Sequence, residues 1–321
     1  MPRVSVVVPL YNKRQTILRT LTSIQRQALS DFEVIVVDDG STDGGELLAS
    51  DFADERFRII AQNNSGPGAA RNAGARVAKS DLLAFLDADD EWMPDFLAHM
   101  VALLDESKAA QAATSGYYEY PSGKSSESLW RSRGLRDGVV EVTPRTSVTE
   151  FLYLLRFMAA WSTVIRRDEF IRLNGFHEKT RSMYGEDTCL WMKLLTNAPV
   201  AIDLKPRVKF HRENSDLSGN ASGARAVEPF LVDPEEVLST CPESLIPLLE
   251  AVIQARSLKT ACMLGFWGQW REAASIRRRF WNVGAFRHRH AIPAIIAGTP
   301  FAGAGGYLWR RALGVPRSRA A

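Results

Sequence analysis

Cysteine is scarce in this chain: its 321 residues hold three, Cys189, Cys241 and Cys262. They are too few and too scattered for a disulfide framework or a thiolate zinc site, which points to a reducing compartment. No Walker A stretch occurs, so phosphate binding by a P-loop is excluded. The dinucleotide fingerprint is missing too, because the nearest candidate reads GPGAAR and sets Arg71 where close helix–strand packing asks for glycine. The opening MPRVSVVVPLYN lacks the basic start and the cleavage site of a secretory leader and runs straight into an apolar strand, so the body of the protein is expected in the cytosol. An uncharged run at residues 291–309 is interrupted by Pro293, Pro300 and several Gly, and is not expected to span a membrane.

What is present is an ordinary globular composition, 45% hydrophobic and 24% charged, enough for one large domain or two smaller ones. The formal charge of +3 is unevenly spread, since residues 271–321 carry ten Arg and one Glu. Apolar runs at residues 4–8 (VSVVV), 34–37 (VIVV), 57–60 (FRII) and 82–86 (LLAFL) have the character of strands covered on both faces. Between them, residues 16–27 place Ile17, Leu21 and Ile24 at helical spacing, and residues 68–79 are rich in Ala and Arg. This β-α-β-α-β-α-β order predicts an α/β fold with a doubly wound, mostly parallel sheet flanked by helices.

Such sheets bind ligands beyond the carboxyl ends of their strands. There stand Pro9, Tyr11 and Asn12 after the first run, Asp38 and Asp39 after the second, Gly66 and then Arg71 after the third, and Asp87, Ala88 and Asp89 after the fourth. Tyr11 can stack on a base, Asp38 or Asp39 can accept from a base N–H or a ribose hydroxyl, and Arg71 can pair with phosphate. Four acids, Asp87, Asp89, Asp90 and Glu91, crowd the last segment. Like charges that close call for a cation, and hard carboxylate oxygens suit Mn²⁺ or Mg²⁺ bridging a diphosphate. Each cluster alone also reads as a helix cap or a turn; the coincidence at four successive strand ends is what points to a nucleotide diphosphate.

In that order and spacing, SVVVPLYN, VIVVDDGSTD, NSGPGAARNAG and FLDADDEW resemble the family 2 inverting glycosyltransferases of GT-A fold, over about residues 3–220. The resemblance implies a nucleotide-sugar donor, with Tyr11 and Asp39 at the base, Asp87 at the ribose, Arg71 near the diphosphate and Asp89 on the metal. It continues in WSTVIRRDEFIRLNGF, which reads as a strand, a short helix and a turn at Asn174 and Gly175, and in YGEDTCLWMKLL, which reads as a helix. Acids in a first helical turn also favour the macrodipole. Transfer with inversion, however, needs one base, and the GED stretch is similar to the family's acceptor-side motif. That implies Asp187 as catalytic base, with Glu186 and Trp191 on the acceptor side. FHRENSDLS resembles the family's loop after the sheet and implies His211 as a ligand of the metal or the diphosphate.

Residues 119–147 are polar and rich in Ser, Gly and Arg, and are expected to form a long loop. The catalytic domain is expected to cover residues 1–224, and residues 225–321 a helical, Arg-rich extension with helices near 234–238, 245–260 and 270–281. Arginines interleaved with Trp281, Phe286, Tyr307 and Trp309 suit an anionic membrane surface, the alternative being a helical cap. No nucleic-acid-binding signature is present. The expected activity is metal-dependent transfer of a sugar from a nucleotide-sugar donor to a saccharide or lipid-linked acceptor. A sugar-nucleotide-forming nucleotidyltransferase is the alternative, but its Gly-rich loop should follow the first strand, where PLYN stands. A non-catalytic binding module is a third.

Overall fold

The structure is a computed structural model and describes residues 1–214, 226–282 and 289–302. The chain divides into two compact units, Met1–Ser215 and Asp216–Ala321.

In the first unit, β1 (Val4–Leu10), β2 (Phe32–Asp38), β3 (Phe57–Ala61) and β4 (Leu82–Phe85) alternate with α1 (Ile17–Gln25), α2 (Gly45–Phe52) and α3 (Pro67–Val77). Then follow β5 (Glu91–Trp92), α4 (Phe96–Glu106), β6 (Ala112–Tyr120), β7 (Lys124–Ser125), α5 (Glu127–Ser132), β8 (Gly138–Val140) and α6 (Val148–Phe157). The unit closes with β9 (Thr163–Arg166), α7 (Arg167–Arg172), α8 (Glu186–Asn197) and β10 (Val200–His211). One sheet runs β3-β2-β1-β4-β9-β6-β10-β5, with β7 on β6 and β8 on β10. The first four strands pair in parallel, β9 is antiparallel to both β4 and β6, and β10 is parallel to β6. The carboxyl ends of β1, β2, β3, β4, β6 and β10 therefore share one rim.

The first, second and fourth apolar runs become strands because both faces are covered: Val6, Val7, Val8, Ile35, Val36 and Val37 are fully buried, as are Leu83, Ala84 and Phe85. The third departs from that expectation, since β3 stands at the edge of the sheet and none of its residues is buried. Helix α1 turns Ile17, Leu21 and Ile24 onto that core. Helix α3 lies so close to the sheet that a Cβ on Gly74 would come within 2.3 Å of Val7 Cγ1 and 3.2 Å of Val37 Cγ2. The expected turn forms at Asn174 and Gly175, both at φ 58°.

Two expectations are corrected. Residues 119–147 are not one long loop, because β6 extends to Tyr120 along β10, β7 closes a hairpin on Tyr118 and Glu119, and β8 pairs with the start of β10. A few apolar anchors hold this polar stretch, with buried Trp130 packed edge-to-face on Phe157 at 5.6 Å. His211 sits on the last residue of β10 rather than in a loop beyond the sheet.

The second unit is helical: α9 (Pro229–Val232), α10 (Glu235–Leu238), α11 (Ile246–Phe266), α12 (Trp270–Phe280) and α13 (Ala291–Ala297). Leu258, Ala261, Leu264, Ala273, Ala294 and Ala297 form its core. Gly265 lets α13 lie against α11, since a Cβ there would meet Ala297 at 2.5 Å. Among the described residues no helix is long and apolar enough to cross a membrane. Of the interfacial aromatics, Phe286, Tyr307 and Trp309 lie outside the described residues.

Replacing Gly74 by Ala forces Val7 off its packing, and urea denaturation is expected to show a loss of about 1–3 kcal/mol, the usual cost of overpacking a filled core.

Candidate active site

Side chains knit the loops at the sheet's rim together. After β1, Tyr11 is exposed and Asn12 adopts φ 51°. The Asn12 N–H donates to Ser41 Oγ at 3.1 Å, and its Oδ1 accepts the Thr42 N–H at 2.8 Å, tying this loop to the one after β2. Asp38 Oδ1 accepts the Ser41 N–H at 3.0 Å. Asp39 reaches the next loop, its Oδ1 accepting from Gln62 Nε2 and the Ser65 N–H and its Oδ2 from the Gly66 N–H, all at 2.8 Å. Gly66 caps α3 at φ 94°, a conformation that favours glycine. Pro9 lies within β1, upstream of these contacts.

Arg71, one turn into α3, turns inward and is 4% exposed. Its Nη2 donates to Asp87 Oδ1 at 2.6 Å and its Nη1 to Glu186 Oε1 at 2.8 Å, while the guanidinium lies 5.3 Å from the centre of the Phe176 ring. One cation thus joins the end of β4 to the start of α8. The next residue, Asn72, donates to the Phe176 carbonyl and to Glu178 Oε2, both at 2.9 Å, and accepts the Phe176 N–H at 3.0 Å. Gly68 leaves room for the His177 carbonyl, which a Cβ would meet at 2.2 Å. Lys193, buried on α8, donates to the carbonyls of Leu173 and Gly175 and fixes the turn from beneath. These contacts set Glu186 and Asp187 against α3.

The electrostatics follow from that burial. Burial alone would lower the pKa of Arg71, but Asp87 and Glu186 outweigh it and hold the guanidinium charged. Glu186 is raised to about 7, by burial first and by Asp187 second, with Arg71 pulling the other way. Asp187 is half-buried, and the water it has lost raises its pKa, with Asp87 adding to the rise. Arg71 opposes that rise, as does the Trp191 indole N–H. Trp191 itself is buried and packs edge-to-face on Phe176 at 5.9 Å, so what it presents toward Asp187 is a dipole and not an open surface.

After β4 the acids divide by environment. Asp89 Oδ2 meets Lys13 Nζ at 2.9 Å. Asp90 is buried, and burial together with Asp89 and Asp87 raises its pKa well above the carboxylate range; its Oδ1 accepts the His211 N–H at 2.7 Å. Helix α1 holds the loop's backbone: Thr16 Oγ1 donates to the Ala88 carbonyl at 2.8 Å, Arg19 Nη2 to that of Asp89 at 2.6 Å and Thr20 Oγ1 to that of Asp90 at 2.8 Å. The donor set that faces cations is all carboxylate oxygen, and Asp89 and Asp87 each already meet one, Lys13 and Arg71. This chemistry fits a hard divalent ion. His211 has a carboxylate at each ring nitrogen, Glu91 at 2.7 Å and Glu213 at 2.9 Å, so ligation of a metal would require it to exchange one of them.

Lys13, Thr16, Arg19 and Thr20 were not among the residues singled out from sequence. The signal for three of them was present, since Thr16, Arg19 and Thr20 recur at helical spacing on α1.

Comparison with known proteins settles the family. The family model described as Glycosyl transferase family 2 matches residues 5–168. The chain belongs to glycosyltransferase family 2. Among this enzyme's relatives, glycosyltransferase RC0461 of Rickettsia conorii is 33% identical over 80% of this chain and 41% of its own. EpsJ of Bacillus subtilis is 29% identical over 67% of this chain and 62% of its own. The succinoglycan biosynthesis protein ExoO of Rhizobium meliloti is 42% identical over 34% and 32%. The chain thus spans about four tenths of the length of the Rickettsia relatives. In fold, the glycosyltransferase is similar to Staphylococcus aureus TarS 1–349 in complex with UDP-GlcNAc, with TM-score 0.59 at 20% identity, covering 94% of this chain and 83% of TarS. It is also similar to the mannosyltransferase PcManGT of Pyrobaculum calidifontis in complex with GDP-Man and Mn²⁺, with TM-score 0.54 at 18% identity, covering 97% and 88%. The architecture is GT-A.

Truncating Arg71 strands buried Glu186 and half-buried Asp87. Arg71→Met is expected to lose about 3–5 kcal/mol of stability in urea denaturation, the usual cost of removing one partner from a buried ion pair.

Proposed function

We propose that this family 2 glycosyltransferase moves a sugar, with inversion, from a nucleotide-diphosphate donor, a UDP-sugar by default, to a hydroxyl of a saccharide or lipid-linked acceptor. The reaction would serve synthesis of a surface polysaccharide or glycolipid on the cytoplasmic side of the cell membrane. The relatives named for polysaccharide assembly and the donor-bound GT-A neighbours support this reading. The observation that carries it is the Asp87–Arg71–Glu186 bridge, which sets Asp187 beside the carboxylates at the strand ends.

In this reading Asp187 takes the proton as the acceptor oxygen bonds to the anomeric carbon. The bond from that carbon to the diphosphate breaks, and the diphosphate leaves with the electron pair. Glu186 borders the acceptor; Trp191, buried beneath, biases Asp187 toward its charged form. Pro9, Tyr11, Asn12, Asp38, Asp39 and Gly66 shape the base and ribose side of the donor site. Asp87 and the backbone at Ala88 meet the ribose, while Arg71 fixes Asp87 and lends positive potential near the diphosphate. Asp89, with Asp87 and with His211 after exchange of a partner, would hold Mn²⁺ or Mg²⁺, which when bound supplies charge to stabilise the leaving diphosphate.

Thermal shift with UDP-, GDP- and dTDP-sugars, with and without Mn²⁺, tests donor binding. Asp89→Ala is expected to lose the metal-dependent part of the shift. Asp187→Asn is expected to keep the shift and to lose sugar turnover by about 10²–10⁴-fold, the range of a general base. Undiminished turnover in Asp187→Asn would remove the base from this scheme.

The raised pKa of Asp187 makes its base form accumulate as pH rises, so kcat/KM should climb on the acid side. Asp87→Asn removes a negative charge that raises Asp187 while leaving Arg71 an oxygen acceptor, which lowers the pKa of Asp187. The acid limb of the pH–rate profile should therefore move to lower pH; a shift to higher pH contradicts the assignment.

A further inference from the structure

Helix α13 is amphipathic the wrong way round for a protein in water. Ala291, Ala294 and Ala297 are buried, against the Gly265 face of α11 and beside α12, while Ile292 is 69% exposed, Ile295 38% and Ile296 56%. The isoleucines recur at helical spacing and so form one stripe. Phe301, four residues past the helix, is 82% exposed. Scattered apolar residues on a surface are ordinary, but four large ones on and just beyond one short helix are a patch.

Charge says what covers it. Within the second unit, residues 226–250 carry six acids and no Lys or Arg, whereas residues 271–321 carry ten Arg and one Glu. Exposed Arg289 stands immediately ahead of α13. Exposed Arg278 lies one helical turn beyond Ala274, which would be 3.2 Å from a Cβ on Gly298 at the other end of α13. An apolar stripe with exposed arginines near both ends of its helix matches the acyl boundary and phosphates of an anionic bilayer. The seven residues of α13 are too few to cross one.

We propose that the exposed face of α13, Ile292, Ile295 and Ile296 with Phe301, together with Arg278 and Arg289 near the ends of that helix, docks this enzyme on an anionic lipid surface. The patch deepens the proposal of a lipid-linked acceptor, because it would bring the enzyme to where such an acceptor is held. Its recognition chemistry, insertion of branched apolar side chains with arginine on lipid phosphate, is independent of sugar transfer.

Co-sedimentation of the full chain with phosphatidylcholine vesicles, with and without phosphatidylglycerol, tests it. The protein is expected to pellet with the anionic vesicles and to stay largely in solution with the neutral ones. Ile292→Asp with Ile296→Asp should weaken binding at least about tenfold, since two charges then enter the acyl boundary. Arg278→Glu with Arg289→Glu, which leaves the apolar stripe intact, should weaken it chiefly on anionic vesicles and at low salt. Leu47→Asp, at an exposed apolar position of α2, is the control and should bind as the wild type does. Circular dichroism establishes that each variant is folded, and UDP-sugar turnover in lipid-free solution should be unchanged by all of them. No binding by the wild type, or equal binding by the Ile292/Ile296 variant, overturns the proposal. So does a wild-type dimer that this variant makes monomeric, which would assign the stripe to a second copy. Failure of UDP-sugar turnover alone would sink the catalytic reading and leave the vesicle result standing.

Discussion

A single buried guanidinium organises the first unit. Arg71 lies between half-buried Asp87 at the end of β4 and buried Glu186 at the start of α8, and Glu186 would otherwise face a poorly hydrated space uncompensated. Buried charge is tolerated only when paired and hydrogen-bonded. The bridge therefore fixes the spacing between the strand ends and the helix that carries Asp187, and each part of the surroundings serves it. Gly68 admits the His177 carbonyl, Asn72 holds both backbone groups of Phe176, and Lys193 braces the turn before it.

The same guanidinium sets the acid–base character of the site. Burial pushes Glu186 and Asp187 toward their neutral forms, and Arg71 opposes it at both. In the proposed scheme Asp187 gains from a pKa brought toward the working pH, provided it is not carried past it. Arg71 supplies the limit there, and the Trp191 indole assists it. Asp90 is pushed the same way by burial and by Asp89 and Asp87, with the His211 N–H and Arg19 opposing.

Much of this was legible in the residues, and what was not has a physical reason. The first, second and fourth apolar runs and the rim they feed could be read because a strand covered on both faces writes itself as an unbroken apolar run, while edge strand β3 showed itself by its isoleucines alone. The turn at Asn174 and Gly175 and the helix beginning at Glu186 were readable from local chemistry as well. Residues 119–147 were not, because β8 exists by pairing with distant β10, the two-residue β7 is too short to show a pattern, and their composition is polar. The inward turn of Arg71 was hidden for the same reason, since its partner Glu186 is 115 residues away. Asp39 was read as a ligand of the base, and its carboxylate is found anchoring the Ser65–Gly66 loop, a task invisible until the loops are brought together.

The clamp of α1 on the acidic loop has one further consequence. With the carbonyls of Ala88, Asp89 and Asp90 tied to Thr16, Arg19 and Thr20, the backbone that carries the acids is anchored to the segment following β1. The starting positions of Asp87, Asp89 and Asp90 are therefore decided by packing before anything binds, and their repulsion is met in place by Arg71, by Lys13 and by the shift of Asp90 toward its neutral form.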